Sequence, residues 1–141
     1  MSSLKIGWAE ESITPEQKIN LAGQFFQRIS EFVETPVTVT AMAAECRGEQ
    51  MVICSCDLLS VEVSLIARVK GLLRDKVNGL PLDKIIINAT HTHTSHVYQC
   101  EEADALSSLR VLERYLPQKK EYKEKISSDV MTGEAAFCYL A

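Results

Sequence analysis

The segment 51–90 constrains the fold most, because the spacing of its apolar residues changes twice along its length. The apolar stretch 51–57, MVICSCD, is typical of a strand, and the continuous apolar run 85–90, IIINAT, is typical of another. Between them, apolar residues recur every three or four positions, as in an amphipathic helix: Val61, Leu65, Val69, Leu72, Leu73 and Val77. The segment therefore predicts strand, helix and strand, with a right-handed parallel crossover.

Local signals predict the limits and the environment of these elements. Ser60 is a candidate N-cap for the helix, and the pair Asn78 and Gly79 is a candidate stop signal. The uninterrupted apolar run 85–90 indicates a central strand that is covered on both faces. Leu65, Val69 and Leu72 are expected to place the helix against the sheet.

The residues before the helix predict an antiparallel hairpin. Segment 35–46 is β-branched and alternating at its start, and the polar turn 47–50, RGEQ, joins it to segment 51–57. A hairpin beside a parallel crossover requires a sheet of mixed strand direction. The predicted fold class is therefore α/β, with a mixed sheet that contains one strand-helix-strand unit.

The bulk composition is that of one globular domain. The chain has 141 residues, of which 46% are hydrophobic and 24% charged, and its formal net charge is −4. An acidic balance argues against nucleic acid as a partner. No apolar run reaches the roughly 20 residues that a transmembrane helix needs, and the start MSSLKIGWAEESITP has no signal-peptide pattern, so we expect a cytoplasmic protein.

The last third of the sequence predicts helices and an incomplete domain. Segment 101–116, EEADALSSLRVLERYL, is expected to form a helix that ends near Pro117. Helical spacing continues afterwards at Tyr122, Ile126, Val130 and Phe137. The chain ends on the apolar stretch AAFCYLA, whereas free termini are usually polar. We therefore interpret residues 1–141 as a single α/β domain or as the N-terminal part of a larger catalytic domain.

The five cysteines are expected to be reduced thiols, because their number is odd and they lack the paired spacing of a zinc knuckle. Cys54 and Cys56 stand in an apolar run, which favours burial over metal binding. Cys100 follows the histidines closely, so it remains a candidate ligand or reactive thiol.

The segment NATHTHTSHVY contains all three histidines of the chain, His91, His93 and His96. If the preceding strand extends into this segment, His91 and His93 project to the same side and can face one metal ion. Ligands in open α/β sheets bind at the carboxyl ends of strands, where this pair is expected. Asp57 ends the neighbouring strand and is a candidate orienting carboxylate, or only a cap before the helix. We interpret His96 as an ordinary hydrogen-bonded histidine.

Two families of metalloenzymes have similar patterns. The spacing of His91, His93 and His96 resembles the HxHxDH signature of the metallo-β-lactamase fold, but Ser95 occupies the aspartate position. A serine hydroxyl without an activating base is a poor substitute for that aspartate.

The second resemblance extends over more of the sequence. Segment 6–25, IGWAEESITPEQKINLAGQF, resembles the opening of the neutral/alkaline non-lysosomal ceramidase family, with its Ile-Thr-Pro and Leu-Ala-Gly elements. VICSCDLLSV resembles the family's strand that ends in Asp-Leu, and IIINATHTHTS resembles its Ala-Thr-His-Thr-His-Ser segment. The three elements occur in the family's order and cover about residues 6–95.

This resemblance implies a zinc-dependent amidohydrolase that cleaves the N-acyl bond of ceramide. It implies that His91 is a zinc ligand and that His93 contacts the reacting amide. The family's other ligands, a histidine, a glutamate and a tyrosine, occur later in the chain, so the isolated segment is expected to be inactive. Hydrolysis of another amide or ester stays open, as does a non-catalytic binding or scaffold domain that retains the fold.

Overall fold

The computed structural model describes residues 3–74, 76 and 79–98. These residues form strands β1 (Lys5–Ser12), β2 (Thr38–Cys46) and β3 (Glu49–Cys56), helix α1 (Val63–Leu73), a short 3-10 helix (Leu82–Lys84) and strand β4 (Ile85–Ala89). The predicted helices within 101–116 and after it lie outside the described residues, as does Cys100.

The four strands form one sheet in the order β1-β2-β3-β4. β2 is antiparallel to both β1 and β3, whereas β3 and β4 are parallel and joined through α1. The structure therefore confirms the mixed α/β sheet, the hairpin and the strand-helix-strand unit. The hairpin turn is shorter than expected, because Cys46 already pairs with Glu49. Arg47 and Gly48 both have positive φ, of 55° and 80°, as a tight two-residue hairpin turn requires.

Helix α1 begins later than predicted. Its N-cap is Glu62 and not Ser60, and Glu62 makes no side-chain capping hydrogen bond. Instead, the Tyr98 hydroxyl accepts a hydrogen bond from the Glu62 amide and donates one to the Ser60 carbonyl, both at 2.9 Å. A tyrosine distant in sequence thus satisfies backbone groups at the start of the helix, where a local serine was expected. With only 11 residues, α1 is too short to cross a membrane, and no other helix in the described residues does so.

Helix α1 packs on one face of the sheet. Its buried residues are Leu65, Val69 and Leu73, whereas Leu72, which was expected to face the sheet, is 40% exposed. The sheet contributes alternate residues to this core: Val39, Ala41, Ala43, Val52, Cys54, Cys56, Ile85 and Ile87. Ile13, Leu58 and Tyr98 close the same core at the ends of the strands.

The interpretation of segment 85–90 as a central strand covered on both faces is wrong for the described part of the chain. β4 is the edge strand of the four, and only Ile85 and Ile87 are buried. Ile86 points to the opposite face and is 49% exposed. An uninterrupted apolar run does not distinguish a strand covered on both faces from one whose second face is open.

The buried thiols of Cys54 and Cys56 confirm the prediction that these cysteines belong to the core. Both lie in the β3 row that faces α1. Burial raises the pKa of Cys54 from 9.0 to about 11. The pKa of Cys56 rises to about 12, chiefly through burial and also through the charges of Cys54 and Asp57. Both side chains are therefore neutral thiols at physiological pH.

These pKa shifts predict a loss of stability in alkali. The thiols ionise from about pH 9 in the unfolded chain but only near pH 11 to 12 in the folded one, so their contribution is complete below pH 9 and is lost as the pH rises to 12. Urea unfolding at pH 8 and pH 10 should show this decline. In a Cys54→Ala, Cys56→Ala variant the decline should be smaller by about 1 kcal/mol per thiol. If the free energy of unfolding falls equally in the two proteins, the buried thiols are not the cause of the decline.

Candidate functional site

The candidate site lies in the loop that follows β4, at the end of the sheet where the carboxyl ends of β3 and β4 meet. The Thr90 amide still donates to the Cys56 carbonyl, at 2.8 Å, and so prolongs the pairing with β3. His91 then adopts a positive φ of 62°, which turns the chain away from the strand direction. The strand therefore does not extend through His93, and strand alternation is not the reason that the two rings are neighbours.

The rings of His91 and His93 are nevertheless close together. Their centroids are 5.2 Å apart, the ring planes are inclined by 72°, and both residues are exposed. The structure thus places side by side the two residues that the sequence singled out. The turn at His91 takes the place of strand alternation in bringing them together.

A backbone carbonyl fixes the orientation of the His91 ring. Its Nδ1 lies 2.8 Å from the carbonyl oxygen of Leu59, in the connection between β3 and α1. A carbonyl only accepts hydrogen bonds, so Nδ1 carries the proton and the lone pair of the neutral ring is on Nε2. Metal-binding histidines are commonly held in this way, with one nitrogen donating to a carbonyl and the other facing the metal.

Segment 19–30, which we call the supporting loop, holds the residues after His91 in place. The loop closes on itself through hydrogen bonds from Leu21 to Arg28 and from Ser30 to Ile19. It pairs with the histidine segment through hydrogen bonds from Ala22 N to Ser95 O, at 2.8 Å, and from Val97 N to Asn20 O, at 2.9 Å. The Nη2 of Arg28 donates both to the Ala22 carbonyl and to the His93 carbonyl.

Gly23 in the supporting loop lies directly against the His93 ring. Its φ is +87°, and a Cβ added there would lie 2.5 Å from Cγ and 2.7 Å from Nδ1 of His93. Real Cβ atoms do not approach other atoms this closely. Only glycine therefore allows this backbone conformation together with this position of the imidazole.

Asp57 does not hydrogen-bond to either exposed histidine ring. Its Oδ2 accepts hydrogen bonds from the backbone amide of Thr38, at 3.0 Å, and from the Thr38 hydroxyl, at 3.2 Å. Its Oδ1 accepts one from the Thr90 hydroxyl, at 3.2 Å. The carboxylate thus joins the start of β2 to the residue before His91. The carbonyl of Leu59, and not this carboxylate, orients the His91 ring.

His96 is part of the interior. It is 2% exposed, its Nδ1 lies 3.2 Å from the Ser95 hydroxyl, and it forms an isolated β-bridge with Leu21. This agrees with its interpretation as an ordinary hydrogen-bonded histidine. An HxHxDH site requires the third histidine beside the first two, and no such group of three is found within the described residues, which disfavours the metallo-β-lactamase-like alternative.

The donors in this region fit part of a zinc site. His91 is exposed, its Nε2 has the lone pair that a ligand needs, and the His93 ring lies beside it. Catalytic zinc usually takes three protein ligands. Within residues 3–74, 76 and 79–98, no group of three or more His, Cys, Asp or Glu residues has an arrangement that holds a metal. A complete site would thus need donors from outside the described residues.

The sequence did not reveal three of the groups that shape this site. They are the Leu59 carbonyl, the Arg28 guanidinium and Gly23. A carbonyl has no sequence signal, and the contact between Arg28 and His93 joins residues 65 positions apart. The Leu-Ala-Gly motif is visible in the sequence, but nothing in the sequence indicates that its glycine contacts the His93 ring.

Comparisons with known proteins show which fold this is. No family model and no curated protein sequence matches the chain. Among solved structures, the neutral ceramidase from Pseudomonas aeruginosa is similar, with a TM-score of 0.73 and 16% sequence identity. A structure described as a ceramidase complexed with C2 has a TM-score of 0.74 and also 16% identity. Each likeness covers 96% of this chain but only 21% of the other chain, so this chain spans about a fifth of the length of either.

Substitution of Gly23 tests its contact with His93. Gly48 also has a positive φ, of +80°, but has nothing within 4 Å of an added Cβ, which makes it a matched control. Gly48→Ala should cost only the backbone strain, about 1 kcal/mol of unfolding free energy. Gly23→Ala should cost more and should shift the NMR resonances of the His93 ring, which Gly48→Ala should leave unchanged. Equal costs and an unmoved His93 would show that the close contact does not exist.

Proposed function

We propose that this chain is the N-terminal part of a zinc-dependent amidohydrolase that cleaves the N-acyl bond of ceramide or a related amide. The observation that carries the proposal is the exposed pair His91 and His93, with the His91 ring held by the Leu59 carbonyl through Nδ1, which leaves Nε2 as the nitrogen with the lone pair. The ceramidase-like fold and the ordered sequence resemblance support the same reaction class.

In this proposal the two histidines have different tasks. His91 binds zinc through Nε2, while its Nδ1 remains hydrogen-bonded to Leu59. A zinc ion held there would supply the polarisation of the amide carbonyl and the activation of water near neutral pH. His93 donates a hydrogen bond to the amide oxygen of the substrate, where negative charge develops during attack.

The neighbouring residues position this pair. The supporting loop fixes the backbone of His93 through Arg28, and Gly23 leaves room for the ring. We assign Asp57 a positioning role through the Thr90 hydroxyl, since its oxygens are engaged by Thr38 and Thr90. The remaining zinc ligands would come from residues outside the described part or from a continuation of the protein.

The alternative function is a non-catalytic binding or scaffold domain with the same fold. One observation favours it: the described residues bring together fewer donors than a catalytic zinc site needs. The two proposals differ in whether His91 and His93 are needed for chemistry. A protein with the same fold and no hydrolysis under any metal supply would be a scaffold.

Zinc content and hydrolysis of an N-acylsphingosine, measured on the 141-residue chain and on the product of the whole reading frame, test the proposal. We expect hydrolysis only from a protein that includes the remaining ligands. In that protein His91→Ala should lose zinc and activity, whereas His93→Ala should retain zinc and lose about 100-fold or more in kcat, as for removal of an oxyanion donor.

Thr94→Ala is a suitable control, because Thr94 is exposed in the same loop and its hydroxyl bonds only to Thr92 among the described contacts. It should retain both zinc and hydrolysis. Undiminished hydrolysis by a zinc-free His91→Ala protein would refute the mechanism. A whole-frame product that neither binds zinc nor hydrolyses the amide would favour the scaffold.

A further inference from the structure

The connection between β3 and α1, residues 57–62, is contacted at two points by the segment that carries the histidines. At the start of that segment, His91 places Nδ1 2.8 Å from the Leu59 carbonyl oxygen. At its end, the Tyr98 hydroxyl donates a hydrogen bond to the Ser60 carbonyl, at 2.9 Å. The two contacts therefore fall on neighbouring residues of one short connection.

Tyr98 is anchored in the interior of the protein. Its side chain is 4% exposed and belongs to the hydrophobic core. The hydroxyl also accepts a hydrogen bond from the Glu62 amide, at 2.9 Å. To satisfy the amide at the start of α1, this one bond is sufficient. The second bond, to the Ser60 carbonyl, lies before the helix, so the hydroxyl fixes the backbone of the connection as well.

The Leu59 and Ser60 carbonyls belong to consecutive peptide planes. Each plane is rigid, so only the φ and ψ angles of Ser60 separate the carbonyl that Tyr98 binds from the carbonyl that His91 binds. On the other side of Leu59, the side chain of Leu58 is 0% exposed and packed in the core. The Leu59 carbonyl therefore lies between two fixed points, and Tyr98 supplies one of them.

We propose that Tyr98 is a positioning residue for His91. Its hydroxyl, through the Ser60 carbonyl, holds the Leu59 carbonyl where that oxygen accepts the Nδ1 proton. Since His91 is exposed, water competes for both ring nitrogens, and the tautomer depends on how firmly this carbonyl is held. The role of Tyr98 in metal binding rests on the proposed function, in which the tautomer with the lone pair on Nε2 binds zinc.

Removal of the hydroxyl in Tyr98→Phe tests this role, because the aromatic ring remains to fill the core. The tautomer of His91 is read from the ¹⁵N resonances of its two ring nitrogens, in the metal-free 141-residue protein at a pH where the imidazole is neutral. The wild-type protein should show a protonated Nδ1 and an unprotonated Nε2. In Tyr98→Phe the two resonances should move towards each other, as a mixture of tautomers requires.

Val69→Ala is the control that separates a positioning role from a loss of stability. Val69 is 0% exposed on α1, about two helical turns beyond the Glu62 amide that Tyr98 binds. Both substitutions remove buried groups and should lower the urea midpoint of unfolding. Only Tyr98→Phe should change the His91 resonances. A folded Tyr98→Phe protein with the wild-type resonances, or an equal change in Val69→Ala, would overturn the proposal.

A second pair of variants changes the connection itself and leaves Tyr98 intact. Ser60→Gly and Ser60→Ala both remove the serine hydroxyl, but only glycine frees the φ and ψ angles between the two carbonyls. We expect a mixture of His91 tautomers in Ser60→Gly and a smaller change in Ser60→Ala. If Tyr98→Phe does not fold, this pair decides the question, and equal resonances in the two variants would contradict the role of Tyr98.

Zinc affinity distinguishes this proposal from the function on which it rests. In the product of the whole reading frame, Tyr98→Phe should weaken zinc binding about 10-fold, as for residues that orient a metal ligand, and Val69→Ala should leave it unchanged. An unchanged affinity in Tyr98→Phe would overturn the effect on metal binding. If neither variant nor the wild type binds zinc while the His91 resonances change as expected, Tyr98 positions His91 and the proposed function fails.

Discussion

The Asp57 carboxylate is the contact on which the geometry of the candidate site depends, because it joins three parts of the chain. It accepts hydrogen bonds from the amide and hydroxyl of Thr38 at the start of β2 and from the hydroxyl of Thr90 after β4, while Asp57 itself directly follows β3. The Asp57 amide also donates to the Thr38 carbonyl, at 2.8 Å. The ends of three strands are thus fixed together, and His91 directly follows Thr90 in this group. Hydrogen bonds to a carboxylate are stronger than those between neutral groups. They therefore hold the residue before His91 firmly in place.

After Thr90, tertiary contacts and not strand pairing determine the course of the chain. His91 turns the chain, and the supporting loop then holds the following residues through backbone pairing and through Arg28. Gly23 completes the arrangement, because any side chain there would occupy the space of the His93 ring. The two imidazoles are therefore set by separate parts of the protein, one by Leu59 and the other by the supporting loop. Residues outside the candidate pair determine its precision.

Sequence patterns predicted most of the described architecture but only part of the site. Period and turn signals located the hairpin, α1 and β4, since these depend on local alternation. The errors concern long-range contacts: Tyr98 replaces Ser60 at the start of α1, and Ile86 faces the open side of an edge strand. β1 was not predicted at all, although Ile6 and Trp8 alternate, because short exposed strands give weak signals. His91 and His93 were correctly grouped, but through strand alternation, which the positive φ of His91 rules out.

The exposure of the histidine pair bears on the kind of metal site that we propose for it. In a structural zinc site the metal holds the fold together, and its ligands are organised by the metal itself. Here His91 and His93 are exposed, while the core forms around α1 and one face of the sheet, away from both rings. Leu59 and Gly23 orient the rings through protein contacts alone. The proposed zinc site would thus be preorganised before any metal binds, and the exposure of both residues leaves space for a substrate. These features fit the proposed catalytic site better than a structural one.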